Sequence, residues 1–449
     1  MYIRTTMNEK SKIRTALGLT IGVFLAAMEG TVVATAMPDV IRDLGGEHLY
    51  ALPFSMYLLT MTISSPLWGK LSDIYGRKHI YIIGVVIFLI SSAGCGMSQS
   101  MEFLIAMRVL QGLGAGCITP LTFTINADMF EVRRRAKVQG YMSAVWGFSG
   151  LVGPLLGGFM VDWLSWRYVF FLNIPFGLIA LTVVAYHYRD RVEKSALHLD
   201  WPGTILFTAG AALLIYGLEE MKWWLIGISL ISLLISWRFE SNHPHPLLPV
   251  KSLHLKVPRT AMFQNLMAGM AYFGILAFLP LYVQEVEGKG ATTAGLVLTP
   301  MVVGWTLTNI IGGRLLARLS LFTLIRIGFG LLVIGFLAFT LFYKSNIFYL
   351  SGAGLLVGAG MGFSMLGTLL AAQEHSPKHE LGSSTSSVMF ARTIGGSIGV
   401  SVLSAIISEQ LNASISLLQS AFWWAYMVCL AFAIIAFLTS WSISQKSLK

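Results

Sequence analysis

Charged side chains inside apolar segments are the groups of this sequence best suited to do chemistry. Glu29 lies in the apolar run from Leu17 to Met37, in the stretch LTIGVFLAAMEGTVVATAM. A charged side chain at the centre of a membrane helix costs about 2.5 to 3.5 kcal/mol even on insertion scales, so sequences seldom keep one without a use. Burial favours the neutral form of a carboxyl group and a neighbouring guanidinium favours its charged form, which together suit such a group to proton exchange near physiological pH. We therefore predict that Glu29 binds and releases protons.

Two arginines in other apolar runs are candidate partners for this acid. Arg108 lies six residues after Glu102, and Glu29 lies eight residues before Met37. At 1.5 Å per residue the two positions are about 9 Å and 12 Å from the outer ends of their helices, so their side chains can meet if the helices are neighbours. Arg108 can alternatively extend to the nearer membrane surface. Arg392 has no acid nearby in its own half, and pairing with Glu29, lining a cavity or capping helix carbonyls are all open to it.

The composition is that of a polytopic membrane protein. Of 449 residues, 55% are hydrophobic and 12% are charged, and the mean hydropathy is +0.71, whereas about a quarter of the residues of a soluble domain are charged. Cys95, Cys117 and Cys429 lie in apolar runs without ligand-like spacing, and we predict that they are packing residues. The sequence has no Ser/His/Asp set, metal cluster or phosphate loop, which predicts a non-enzyme without metal or cofactor.

Fourteen apolar runs are long enough to be candidate membrane helices. They are residues 17–37, 50–69, 80–98, 103–126, 138–160, 168–187, 202–218, 223–238, 259–283, 293–313, 322–342, 346–371, 383–407 and 419–441. The first run lacks a cleavage site and is predicted to remain as a helix that ends at Pro38. The predicted inner segments carry 24 Lys or Arg residues and the outer segments only five. This bias places both termini in the cytoplasm and explains the net charge of +10 without a nucleic-acid partner.

An internal repeat relates the first six predicted helices to the last six. Three glycines of helix 4, at 112, 114 and 116, match those at 358, 360 and 362 with a shift of 246, and Gly69 matches Gly313 with a shift of 244. Gly153 and Gly157 match Gly395 and Gly399 with a shift of 242, the shift that also takes Pro38 to Pro280. Transporters are commonly built from such repeats. We predict an all-α protein with a six-helix half at 1–190, two inserted helices and connectors at 191–256, and a second six-helix half at 257–449.

A charged turn is predicted after helix 2, from Gly69 to Lys78, with the sequence GKLSDIYGRK. It resembles the GxLxDxxGRK motif of the major facilitator superfamily, in which the motif is thought to latch the inner ends of the two halves. The resemblance implies the major facilitator fold. It also implies gating roles for Gly69, Asp73, Gly76, Arg77 and Lys78. Asp128 matches an acid that pairs with the motif arginine in related transporters, so an ion pair between Arg77 and Asp128 is expected.

Helices 1, 4 and 5 carry further motifs of this superfamily. The segment RVLQGLGAG from Arg108 resembles its RxxQGxGxA pattern, and MEGTVVATAMPDV resembles LDxTIVNVALP with Glu29 in place of the usual aspartate. Helix 5 resembles the GxxGPxxGG motif of its exporters. The matching residues of helix 5 are Gly150, Gly153, Pro154, Gly157 and Gly158. With WRYVFFLNIPFG and LDWPG, these motifs resemble the fourteen-helix drug:proton antiporter branch, which implies bacterial multidrug efflux and antibiotic resistance.

The resemblance implies proton-driven antiport across the cytoplasmic membrane by a protein that acts as a monomer in the lipid bilayer. Small lipophilic substrates, mainly cations, are expected to leave the cell as Glu29 takes up a proton and Arg108 stabilises its charged form. The substrate cavity is predicted to be apolar and aromatic. Its candidate residues are Tyr57, Gln111, Trp146, Asn265, Tyr272, Trp305, Asn309 and Arg392. Export of a specific metabolite, a lipid or a tetracycline–metal complex is an alternative, as is proton-coupled uptake, and a membrane receptor or enzyme is less favoured.

Overall fold

A bilayer offers no water to the peptide backbone, so each apolar run must satisfy its own hydrogen bonds by forming a helix. The computed structural model describes residues 7–130, 132–189, 201–219, 222–242, 255–316, 318–376, 381–411 and 414–442, and all regular structure within these residues is helical. The α-helices are α1 (Glu9–Leu44), α2 (Leu52–Tyr75), α3 (Arg77–Gly96), α4 (Met101–Met129), α5 (Val132–Trp163), α6 (Trp166–Phe171), α7 (Asn173–His187), α8 (Trp201–Glu219), α9 (Trp223–Asn242), α10 (Lys256–Leu281), α11 (Ala291–Leu315), α12 (Leu321–Phe342), α13 (Ile347–Glu374), α14 (Leu381–Ile407) and α15 (Ile415–Thr439).

Every one of the fourteen predicted runs coincides with a helix, if α6 and α7 are counted together. In the described part of the chain, ten helices are long and apolar enough to cross a membrane. The inserted pair α8 and α9 contributes only shorter apolar segments, Ile205–Leu218 and Trp223–Phe239. The protein therefore has the all-helical architecture that was predicted, whereas a count of fourteen membrane crossings remains a prediction.

The first helix continues beyond its predicted end. Pro38 lies inside α1, which runs on to Leu44. A proline removes one backbone donor from a helix but does not have to end it, provided that the neighbouring turns remain bonded. The helix ends instead at Gly45, where φ is 71°, a left-handed conformation that favours glycine. The prediction that the first helix ends at Pro38 is therefore wrong.

The motif after helix 2 is also mostly helical rather than a turn. Gly69 to Tyr75 form the last turns of α2, and only Gly76, with φ of 92°, has a non-helical conformation before α3 begins at Arg77. A residue with a β carbon is strained at such a φ, so glycine is needed at 76 to turn the chain within one residue. The motif consequently places Gly69 and Asp73 on one helix and Arg77 and Lys78 on the next.

The chain forms two compact units. The first contains residues 1–45 and 56–199, and the second contains residues 46–55 and 200–449. In the first unit, α1 packs against α4, α5 and α7, and α3 packs against α4 and α7. In the second unit, α10 packs against α13, α14 and α15, α12 packs against α13 and α15, and the inserted helix α8 packs against α9 and α14.

The packing within the two units repeats at the level of single atoms. A β carbon on Gly114 of α4 would meet the Gly84 carbonyl oxygen at 2.8 Å and the Phe88 nitrogen of α3 at 2.6 Å. A β carbon on Gly360 of α13 would meet the Gly328 carbonyl oxygen and the Leu332 nitrogen of α12, each at 2.6 Å. These residues are related by shifts of 246 between α4 and α13 and 244 between α3 and α12. The repeat seen in the glycine pattern therefore corresponds to equivalent helix contacts.

Candidate functional site

Glu29 and Arg108 form a buried ion pair inside the first unit. Nη1 of Arg108 donates to Oε1 of Glu29, and the two side chains are 0% and 2% exposed, respectively. Glu29 lies near the middle of α1, Arg108 lies in the first third of α4, and the two helices are packed against each other. A charge-assisted hydrogen bond of this kind is strong when water is excluded, and it offsets the large cost of burying each charge alone.

Three further polar side chains extend this pair into a network. Asn173 Nδ2 donates to Glu29 Oε2 at 2.8 Å and lies 2.9 Å from Ser92 Oγ. Gln111 accepts from Arg108 Nη1 at 2.7 Å through its Oε1, and its Nε2 donates to the same serine oxygen at 3.2 Å. Both carboxylate oxygens of Glu29 are thus occupied by donors from different helices, α4 and α7. Donors from two helices therefore converge on this one carboxyl group.

Asn173 lies on the predicted sixth helix, which the structure forms as two consecutive helical segments. The chain forms α6 up to Phe171, continues through Leu172 and begins α7 at Asn173. At the start of α6, Arg167 pairs with Asp43 of α1 and donates to the Ser98 carbonyl at 3.0 Å. These contacts fix α6 to the ends of α1 and α3. Leu172 keeps helical backbone angles, with φ of -55° and ψ of -32°, and residues Trp166–His187 together form one membrane-length helix at the predicted sixth run, 168–187.

An aromatic ring covers the guanidinium of the buried pair. The Arg108 Cζ atom lies 4.1 Å from the centroid of the Tyr57 ring and 5.9 Å from that of Phe170. A desolvated cation over an aromatic face gains about 2 kcal/mol. The Tyr57 hydroxyl is buried without a hydrogen-bond partner among the described residues. Two predicted cavity residues, Tyr57 and Gln111, therefore contact the arginine itself.

The second unit has no such charged pair at the equivalent place. The repeat matches Glu29 to Ala271 and Arg108 to Gly354, with shifts of 242 and 246. Ser92 corresponds to Phe336, which lies 6.2 Å from Phe339 between ring centroids. Aromatic rings therefore fill a position that the first unit uses for polar contacts.

The remaining cavity candidates lie in different surroundings. Tyr272 and Trp305 pack edge to face at 4.9 Å, and the Arg392 guanidinium lies 5.7 Å from the Trp305 ring and donates to the sulfur of Met365. Asn265 instead donates to the Thr368 hydroxyl at 2.7 Å. Asn309 is half-buried on α11. The Trp146 side chain lies outside the described part of the structure.

The predicted ion pair of the gating motif is present in the first unit. Arg77 at the start of α3 pairs with Asp128 near the end of α4 and also donates to the Thr124 carbonyl at 3.4 Å. The Arg77 and Asp128 side chains are 24% and 36% exposed. These contacts join the ends of α3 and α4. The position of the Asp73 side chain is outside what the structure describes, and Lys78 is half-buried beside Arg77.

The glycines of the helix 5 motif form the contact between α5 and α1. A β carbon on Gly153 would meet the Thr31 hydroxyl, and one on Gly157 would meet the Val32 carbonyl oxygen at 2.9 Å. Pro154 lies inside α5 between them, and Gly150 and Gly158 are buried. Small residues let helices approach closely in membranes. The motif thus packs α5 directly against the helix that carries Glu29.

Asn173 and Ser92 were not predicted from the sequence, although both contact the central acid or its partners. Asn173 occurs in the stretch LNIPFG, where an asparagine two residues before Pro175 interrupts an apolar run. That combination is a usable signal, because an amide inside a membrane helix needs a partner. Ser92 has no comparable signal, since serines in membrane helices usually bond to their own backbone.

Replacing Asn173 with alanine is expected to destabilise the first unit by about 1 to 3 kcal/mol, because Glu29 would lose a buried donor. The measurement is thermal unfolding of the purified protein. Thr182→Ala on the same helix is the matched control, since the Thr182 hydroxyl bonds only to the Leu178 carbonyl of its own turn. Equal melting temperatures for the two variants would show that the Asn173 contact contributes nothing.

The repeated helical units and the buried ion pair are those of a membrane transporter. The sequence profile of the Major Facilitator Superfamily matches residues 19–400. The chain is 35% identical to the multidrug transporter protein MdtP of Bacillus subtilis (strain 168) over 89% of its own length and 76% of the relative. It is 31% identical to multidrug resistance protein 3 of the same strain, covering 93% and 83% of the two chains. A crystal structure of an auto-inhibited POT family peptide transporter superposes with a TM-score of 0.70 at 16% identity, covering 96% of each chain. The protein therefore belongs to the major facilitator superfamily.

Proposed function

We propose that the protein exports lipophilic, mainly cationic compounds across the cytoplasmic membrane in exchange for protons. The observation that carries this proposal is the buried Glu29–Arg108 pair, in which an acid that can exchange a proton is held by donors from two other helices. The similarity to proteins named as multidrug transporters supports drugs as the class of substrate. The excess of Lys and Arg in alternate loops supports an orientation with both termini in the cytoplasm.

Protonation of Glu29 is the step that couples proton entry to substrate export. A proton on Glu29 removes the negative charge that holds Arg108, while Gln111 and the Tyr57 ring keep the guanidinium in place. A cationic substrate favours the opposite change, because its charge stabilises the carboxylate and drives the proton off. Proton and substrate therefore compete for one negative charge, which is the condition for exchange by alternating access.

The decisive experiment is dye transport in proteoliposomes with an imposed proton gradient. Glu29→Gln keeps the size of the side chain but replaces one acceptor oxygen with an NH2 donor and cannot exchange a proton, so gradient-driven transport should fall to the rate of protein-free liposomes. Glu102→Gln is the matched control, because Glu102 is an exposed acid in the first turn of α4. Wild-type exchange by the Glu29 variant would remove Glu29 from the coupling mechanism.

We also propose that the Arg77–Asp128 pair and Asp73 hold the gating latch closed in one state of the cycle. Asp128→Asn should slow turnover about fivefold without changing substrate affinity, since a partly exposed ion pair is worth up to about 1 kcal/mol. Single-turnover and equilibrium dye-binding measurements separate the two quantities. The exposed Glu9–Lys12 pair provides a control through Glu9→Gln. Unchanged turnover for Asp128→Asn would rule out the latch.

A further inference from the structure

A cavity of about 570 Å³ lies in the second unit, where α11 ends, α12 begins and α13 ends. Its apolar wall is formed by Leu316, Leu319, Leu321, Phe322 and Leu370. Glu374 and its neighbour His375, at the end of α13, supply the charged and titratable side of the same cavity. Its volume is in the range of pockets that hold drug-sized molecules, about 300 to 1,000 Å³.

The internal repeat identifies this cavity as the counterpart of the Arg77 site in the first unit. The shift of 246 relates Asp128 to Glu374 and Thr124 to Leu370, and the shift of 244 relates Arg77 to Leu321. In the first unit, Arg77 fills the equivalent space and bonds to both Asp128 and the Thr124 carbonyl. In the second unit the acid is kept, but a leucine replaces the arginine that would neutralise it.

The polar side of the cavity includes Ser320 and Gln373, which bond to Thr323 and Thr385, and two acceptors on Glu374 and His375 that lack partners among the described residues. Glu374 is exposed and makes no ion pair with any described residue. His375 Nδ1 donates to the Ala371 carbonyl at 2.9 Å, which leaves Nε2 as an acceptor in the neutral ring. That Nε2 atom is buried and has no hydrogen-bond partner within the described chain. The His375 ring itself is held edge to face against Phe322 at 6.1 Å.

We propose that this cavity binds an amphiphilic organic cation whose ammonium group carries an N–H. The carboxylate of Glu374 supplies the counter-charge, His375 Nε2 accepts the N–H, and the leucine wall with Phe322 receives the apolar body of the molecule. A protonated tertiary amine supplies both the positive charge and one N–H, whereas a quaternary ammonium of the same size supplies the charge but has no hydrogen to donate. The site is separate from Glu29 and does not depend on the proton exchange proposed for that residue.

A single cysteine at the wall of the cavity can report its occupancy. Cys95, Cys117 and Cys429 are buried, so Leu319→Cys adds the accessible thiol to the chain. The protein is placed in nanodiscs of phosphatidylcholine and phosphatidylglycerol, and maleimide alkylation is timed with and without dodecyldimethylamine at neutral pH. Dodecyltrimethylammonium, which has the same alkyl chain but no N–H, controls for effects on the lipid. We expect the tertiary amine to slow alkylation about tenfold, as when about nine-tenths of the sites are filled, and the quaternary compound to slow it far less.

Two variants test the chemistry of the site in this Leu319→Cys background. Glu374→Gln should abolish the protection by removing the counter-charge. Leu321→Arg should abolish it by rebuilding the arrangement of the first unit, with an internal guanidinium on Glu374, whereas Leu321→Met should preserve it. Equal protection by both compounds, or protection that survives Glu374→Gln or Leu321→Arg, would overturn the proposal. Protection by added phosphatidylethanolamine alone would also overturn it, because the occupant would then be a lipid headgroup.

Glu29→Gln separates this proposal from the transport mechanism. That variant should retain full protection of the cysteine at 319 even though its proton-driven transport is lost. If the wild-type protein transports no dye but the tertiary amine still protects, the proposed function fails and the cavity site stands. If transport is normal and protection is absent, the cavity site alone fails.

Discussion

Replacing Arg108 with methionine is expected to destabilise the protein by about 3 to 5 kcal/mol and to abolish transport, because it leaves a buried carboxylate without its cation. Glu29 is 2% exposed, so water cannot replace the lost partner in the folded state. Among the described residues, Asn173 would be the remaining side-chain donor to the carboxylate. The acid can escape the penalty only by remaining protonated, and an acid that stays protonated cannot drive exchange.

The double variant Arg108→Met with Glu29→Gln distinguishes this explanation from a simple packing defect. Removing both charges should recover most of the lost stability, since neither group is then buried unpaired, but it should not recover transport. Detergent-induced unfolding measures stability, and dye exchange in proteoliposomes measures transport. If the double variant is as unstable as Arg108→Met alone, the loss comes from the volume and ring contacts of Arg108 rather than from its charge.

The position of this pair could be predicted from the sequence because depth in a membrane helix follows from residue counting. Arg108 and Glu29 were placed at similar depths, and the motifs of α1 and α4 indicated that these helices belong to one half. The choice between Arg108 and Arg392 could not be made in this way. It depends on which helix faces turn toward each other, and that is decided by glycine contacts such as those that bring α4 close to its neighbours.

The contact between Asn173 and Glu29 could not be predicted by counting residues along the helices. The hydrogen bond joins residues 144 positions apart and depends on how α1 and α7 pack together. The Asp43–Arg167 pair between α1 and α6 likewise joins residues 124 positions apart. Long-range contacts of this kind are set by the assembled structure and have no local periodicity. Long-range packing also explains why α1 continues past Pro38. Contacts of α1 with its neighbouring helices outweigh the local tendency of a proline to end a helix.

The two units combine one packing scheme with two different sets of side chains. Equivalent glycines contact equivalent backbone atoms in both, yet the first unit carries the buried charges where the second carries Ala271, Gly354 and aromatic rings. The two units therefore share the arrangement of their backbones more closely than the chemical types of their side chains. The first unit carries the buried Glu29–Arg108 pair, while the second has an acid, Glu374, with Leu321 at the position that corresponds to Arg77.

Gly358 is where this shared packing should be most sensitive to substitution. A β carbon there would overlap the Met301 carbonyl group and lie 3.0 Å from the Met301 Cα atom, so the backbones of α11 and α13 would have to separate. Such overpacking typically costs about 1 to 3 kcal/mol, and the rigid backbone on both sides puts Gly358→Ala at the upper end. The corresponding Gly112 of the first unit would meet the Tyr57 carbonyl oxygen at 2.6 Å.

Gly352→Ala is the matched control on the same helix, because nothing lies within 4 Å of a β carbon at that position. Without an overlap, alanine should stabilise α13 by about 0.5 to 1 kcal/mol through its higher helix propensity. The two substitutions are chemically identical, so a difference between them must come from their surroundings. Because only Gly358 is in close contact with another helix, the two effects on detergent-induced unfolding should have opposite signs. Similar unfolding midpoints would mean that α11 and α13 can separate freely, and close glycine contacts would then not be what holds the second unit together.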